Sequence, residues 1–134
     1  MPRTALFPLI PQHSSIVGKS LGGLEAFYAA LEHPELFGTA GVLSPAFMLY
    51  NDDVWREYLG KKSFDGQSPF LYFYSGNEEE DNGDVTDEMV ARIKEMGYPK
   101  NRFTYHREKI GGHEAYFWRS VFSEFLEAMV YQGS

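Results

Sequence analysis

The chain contains no cysteine. Disulfides, thiolate metal sites and a cysteine nucleophile are therefore excluded, although the compartment is not fixed by that alone. No apolar run approaches the roughly 20 residues that a bilayer-crossing helix needs. The start, Met1-Pro2-Arg3-Thr4-Ala5-Leu6-Phe7-Pro8, is too short in its apolar part and too interrupted by proline to read as a secretory signal. The expectation is a cytoplasmic protein with no membrane contact. Basic charge is also scarce: 12 Lys and Arg against 19 Asp and Glu give a formal charge of −7. That balance argues against nucleic acid or an anionic membrane as partner. The four histidines show no His-x-x-x-His spacing and no cluster with carboxylates, so neither a metal nor a cofactor is expected.

What is present suits one folded domain. The 134 residues are 43% apolar and 16% aromatic, with nine Tyr and eleven Phe. A dense core is the commoner use of such aromatics than an aromatic-lined pocket. Residues 1–12 carry three prolines and read as an extended lead-in. His13 to Val17 is a short buried strand. Leu24, Phe27, Tyr28 and Leu31 recur at helical spacing, which predicts a helix from Leu21 to His33, ended by Pro34. Gly38 to Leu43 is an apolar run suited to a parallel strand covered on both faces, and Ser44-Pro45 turns the chain. Residues 53–59 fit a short helix, and Gly60 to Ser68 a polar loop. Pro69 to Tyr74 is the strongest strand signal.

An acidic loop follows, from Ser75 to Asp84. Val85, Met89, Ile93 and Met96 then mark a helix face. Phe103 to Lys109 alternates as a strand, and Trp118, Val121, Phe122, Phe125 and Met129 share one side of a last helix. Strand and helix alternate throughout, which predicts a parallel α/β sheet with helices on both faces. Ligands of such sheets bind beyond the carboxyl ends of the strands. Ser20, the acidic loop and His113 all follow strands and so belong to that edge.

The segment Gly18-Lys19-Ser20-Leu21-Gly22 reads Gly-x-Ser-x-Gly between a strand and a helix. In that setting the serine sits on a tight turn that lifts its hydroxyl above the sheet. Flanking glycines are expected because a Cβ at either position would strike the neighbouring strand or helix. A phosphate-binding loop would need glycine where this chain has His13, and a longer loop before Lys19. A serine hydroxyl needs a base, and the base needs an orienting carboxylate. The chain order Ser20, then Glu78 to Asp81, then His113 is that of α/β-hydrolases. Among the acids Glu79 is preferred, while Glu78, Glu80 and Asp81 stay open. His33 reads as a helix C-cap; His13 and His106 have no partner legible in the sequence.

Three stretches carry a family resemblance. They are Ile16 to Leu24, His33-Pro34-Glu35-Leu36-Phe37-Gly38, and Ser44-Pro45-Ala46-Phe47. Together they resemble the Putative esterase family of α/β-hydrolases, which includes esterase D-like, enterobactin-esterase-like, feruloyl-esterase-like and mycolyltransferase-like enzymes. Gly111-Gly112-His113-Glu114 with Trp118-Arg119 is similar to the family's histidine segment, and Gly76-Asn77-Glu78-Glu79 to the loop bearing its acid. The resemblance spans nearly everything after residue 12. It implies Ser20 as nucleophile, His113 as base, Glu79 as orienting acid, and the Leu21 amide as one oxyanion donor.

The chain matches only the carboxyl-terminal half of that domain. The other half normally supplies the first strands and a second oxyanion amide, whose loss costs about 10²–10³ in rate. A strand central in the whole sheet would here become an edge. A homo-oligomer, or a missing amino-terminal partner segment, is the corresponding expectation. The implied activity is that of a serine esterase acting on a small-molecule ester. The alternative is a non-catalytic remnant of the fold that serves in binding or assembly.

Overall fold

The computed structural model describes residues 14–76 and 82–108. Four strands form one parallel sheet in the order β1-β2-β3-β4: β1 Ser15–Lys19, β2 Thr39–Leu43, β3 Phe70–Ser75 and β4 Phe103–Arg107. Helix α1 (Leu21–Glu32) joins β1 to β2, α2 (Asp52–Gly60) lies between β2 and β3, and α3 (Gly83–Glu95) leads to β4. Short 3₁₀ turns occupy Phe47–Leu49 and Lys100–Arg102. The expected α/β class with a parallel sheet is the observed one. It is an α/β-hydrolase-like fold, and the expected last helix lies outside the described residues.

Register explains how the core is assembled. Ile16 and Gly18 of β1 stand beside Ala40 and Val42 of β2. Those in turn stand beside Leu71 and Phe73 of β3, which meet Phe103 and Tyr105 of β4. Alternation puts all eight on one face. Against that face pack Phe27, Ala30 and Leu31 of α1, Trp55 and Leu59 of α2, and Met89, Val90 and Ile93 of α3. Strands β2 and β3 are buried along their whole length. Their near-continuous apolar sequences follow from cover on both faces. Among the described residues, Phe27, Phe47, Trp55, Phe73 and Tyr98 are the aromatics buried in this core. Phe27, Phe47 and Trp55 meet edge to face at 5.0, 5.9 and 5.5 Å between centroids. The Trp55 indole donates to the Phe47 carbonyl at 2.9 Å, so the one polar group of that cluster is satisfied.

Several boundaries differ from the sequence expectation. β1 begins at Ser15 and runs to Lys19, because its ladder with β2 extends from Ser15–Thr39 to Lys19–Leu43. Helix α1 buries Gly23, Ala26, Phe27, Ala30 and Leu31, whereas Tyr28 is 49% exposed. Small residues let α1 approach the sheet closely, and Tyr28 turns outward to stack on Tyr58 at 5.4 Å. Helix α2 spans Asp52–Gly60, one residue longer at each end than expected, because the Asn51 side chain caps it by accepting from the Val54 amide at 3.0 Å. Glu108 follows β4 outside any regular element, and Lys109 lies outside the described residues.

Candidate active site

Ser20 occupies the single residue between β1 and α1. Its backbone angles are φ 55° and ψ −121°, a strained conformation for a residue with a Cβ. It takes the N-cap position of α1, yet its side chain makes no capping bond. Backbone bonds hold the turn instead. The Ser20 amide donates to the Leu43 carbonyl at 3.0 Å. The Ser20 carbonyl accepts from Gly23 at 3.0 Å, Leu24 at 3.2 Å and Ala46 at 3.1 Å. The turn is thus fastened both to its own helix and to the chain leaving β2.

The glycines divide differently from the expectation. A Cβ on Gly18 would lie 2.3 Å from the Gly22 carbonyl oxygen, because the first turn of α1 passes directly over the end of β1. A Cβ on Gly22 would meet nothing within 4 Å. The second steric demand falls one residue later. A Cβ on Gly23 would lie 2.8 Å from the Leu43 carbonyl oxygen and 3.2 Å from the Pro45 Cα. Gly22 contributes through the closeness of its backbone to Gly18, and Gly23 lets the helix meet the 43–45 turn.

Leu21 opens α1 and is 52% exposed. Its amide belongs to the first turn, whose N–H groups have no acceptor within the helix and form its positively polarised end. His113 and the acidic run Glu78 to Asp81, Glu79 included, lie outside the described residues, as does His13. His33 does take the C-cap position of α1, while its ring pairs with Glu35 at 3.0 Å. His106, whose partner the sequence does not name, stacks on Tyr74 at 5.7 Å and pairs with Glu108 at 3.2 Å. Lys19 is exposed.

Two groups of residues at this edge are not signalled by the motif. Ser44 follows β2 with φ 41°, and Asn82 precedes α3 with φ 58°. Ser44-Pro45 and Asn82-Gly83 are turn-forming dipeptides, but nothing in them announces that the two turns touch. The second group ties α3 to the sheet. The Tyr105 hydroxyl donates to Asp87 at 2.5 Å and lies 2.9 Å from the Ser75 hydroxyl. Arg107 pairs with Asp87 and, at 3.3 Å, with Asp84. Burial, then the bond to Asp87, pushes the Tyr105 phenol above its ordinary pKa, so it remains a neutral donor. The carboxyl ends of β3 and β4 are thereby fixed against the first turn of α3.

Beside α1 lies a groove of about 490 Å³ lined by Ile16, Leu24, Glu25, Tyr28, Ala29, Tyr50, Val54, Trp55 and Tyr58. Among the described residues, no helix is long and apolar enough to cross a membrane.

Comparison with known proteins places this arrangement. Enterochelin esterase from Shigella flexneri superposes with a TM-score of 0.76 at 22% identity, over 93% of this chain and 32% of its own. A ferulic acid esterase gives 0.72 at 17% identity, over 92% and 53%. S-formylglutathione hydrolase from Staphylococcus aureus gives 0.63 at 22% identity, over 96% and 55%. At these identities the likeness is one of fold, and the chain spans between about a third and about half of those proteins. A search of the curated proteins found no match. The model of the family described as Putative esterase matches residues 4–128, and the chain, with its strained serine turn between β1 and α1, belongs to that family.

Proposed function

We propose that the chain carries the catalytic serine of an ester hydrolase. The observation that carries this reading is the Ser20 turn: a serine held at φ 55° between a parallel strand and the helix that follows it. Strain of this kind costs of order 1–3 kcal/mol and clusters at active sites. In a member of an esterase family its purpose is to present a nucleophile.

The chemistry assigned to the site is acyl transfer in two steps. The Ser20 oxygen attacks the ester carbonyl carbon while His113 takes the hydroxyl proton. The resulting oxyanion accepts a bond from the Leu21 amide. The C–O bond to the alcohol then breaks, and His113 returns the proton to the departing oxygen. In the second half a water molecule replaces the alcohol. It gives a proton to His113 and attacks the acyl carbon, and Ser20 recovers its proton as the acid leaves. Glu79, or one of Glu78, Glu80 and Asp81, orients the His113 ring. The substrate is a small carboxylic ester, and an acceptor other than water would turn the same residues to acyl transfer.

The test is turnover of p-nitrophenyl acetate together with covalent labelling by a fluorophosphonate. Turnover and labelling by wild type, both lost in Ser20→Ala, are the expected results. A folded wild type that neither labels nor turns over would overturn the reading. That outcome would favour a non-catalytic binding or assembly role.

A further inference from the structure

Three non-glycine residues among those described have positive φ: Ser20, Ser44 and Asn82. Two of them follow strands and the third immediately precedes α3, and hydrogen bonds link all three in one series. The residues flanking Ser44 grip Ser20: Leu43 accepts from the Ser20 amide at 3.0 Å, and Ala46 donates to the Ser20 carbonyl at 3.1 Å. Ser44 is in turn held from β3 and α3. Its amide donates to the Tyr74 carbonyl at 2.7 Å, and its carbonyl accepts from the Asn82 side-chain amide at 3.4 Å. Asn82 is anchored by its own carbonyl, which accepts from the Thr86 amide at 3.0 Å and the Thr86 hydroxyl at 2.9 Å.

Each such conformation persists only where the surroundings over-determine it. Ser44 is fully buried, so its strained turn has no room to drift independently of what it touches. We infer that Asn82 is a positioning residue for Ser20, acting through the Ser44 carbonyl and the 43–46 turn. The inference rests on Ser20 being the nucleophile. Asparagine combines the two properties this position needs. It tolerates the left-handed backbone (φ 58°, ψ 35°), and it carries a side-chain N–H donor of the right length. Aspartate shares the shape and the backbone tolerance but has no donor when ionised. Glycine keeps only the backbone tolerance.

Asn82→Asp and Asn82→Gly therefore remove the bond to Ser44 without forbidding the local backbone. Both are expected to lower the fluorophosphonate labelling rate of Ser20, and kcat for p-nitrophenyl acetate, about tenfold or more. KM should stay near the wild-type value. Amide hydrogen exchange supplies a readout independent of chemistry. Exchange at Ser20 and Ala46 should quicken at least about tenfold, while the β3–β4 ladder exchanges as in wild type. Wild-type labelling in both variants would overturn the inference. So would unchanged exchange at Ser20 and Ala46, or a uniform rise across the sheet, which would mark Asn82 as merely stabilising. A wild type that fails to label sinks the nucleophile assignment instead, and exchange alone then decides whether Asn82 governs the turn.

Discussion

The Ser20 amide donates to the Leu43 carbonyl at 3.0 Å, which makes the serine turn and the turn after β2 a single piece of structure. Residue 20 is thereby kept at φ 55° by a neighbouring strand rather than by its own preference. An L-residue pays for that conformation and glycine does not. Ser20→Gly should therefore be more stable than Ser20→Ala by about 1 kcal/mol, measured by urea unfolding, although both lack the proposed nucleophile. Equal stability would mean that the turn relaxes when the hydroxyl is removed.

The two glycines of the serine motif should respond oppositely to alanine. At Gly18 the new methyl would lie 2.3 Å from a backbone oxygen of Gly22, with no flexible side chain to yield. Gly18→Ala should cost about 2 kcal/mol or more. At Gly22 the methyl enters open space and sits in the first turn of a helix. Gly22→Ala should be neutral or stabilising by up to about 1 kcal/mol. Urea unfolding of the two variants side by side tests this, and similar losses in both would contradict the geometry.

Legibility followed the range of the interactions. β3 was readable because Pro-Phe-Leu-Tyr-Phe-Tyr is an unbroken run of strand-favouring residues, and the strand forms one residue later than expected, at Phe70–Ser75. The Ser20 turn was readable because its residues are contiguous. The outward turn of Tyr28 was not, since periodicity alone cannot show that Gly23, Ala26 and Ala30 would bring α1 close to the sheet. The same limit hid the demand at Gly23, whose obstacles, Leu43 and Pro45, lie some twenty residues away. Ser44 and Asn82 were invisible as a pair because their contact joins two turns 38 positions apart.

The link between α3 and the sheet should weaken when its central hydroxyl goes. Tyr105 lies between Asp87, at 2.5 Å, and Ser75, at 2.9 Å. Tyr105→Phe keeps the ring and its packing beside Phe73 and removes only the oxygen. Because the lost bond is to a carboxylate, the cost should be about 1–2 kcal/mol. Amide exchange should quicken first in the opening turn of α3 and later in β2. If the loss is spread evenly, or none is found, the network does not anchor the helix.

Acid should selectively remove the contribution of Glu32. Its carboxylate accepts bonds from Lys62 and from the Tyr58 hydroxyl. These two bonds, Lys62 first, hold its pKa below the ordinary value of 4.5. Burial and the bond to Glu32 push the Tyr58 phenol up, so Tyr58 stays a neutral donor across the whole acid range. A carboxyl whose folded pKa is depressed stabilises the fold above its unfolded pKa, and the contribution fades as pH falls through the folded value. Glu32→Gln removes the ionised partner at every pH. The wild type should therefore melt above Glu32→Gln at pH 7, and the gap should narrow below about pH 4.5 as Glu32 takes up its proton. The carboxylate is partly exposed, so the gap at pH 7 will be modest and smaller in high salt. Thermal melts of both proteins from pH 7 to pH 3 measure it, and a gap that stays constant over that range would show that the ionised carboxylate does not stabilise the fold.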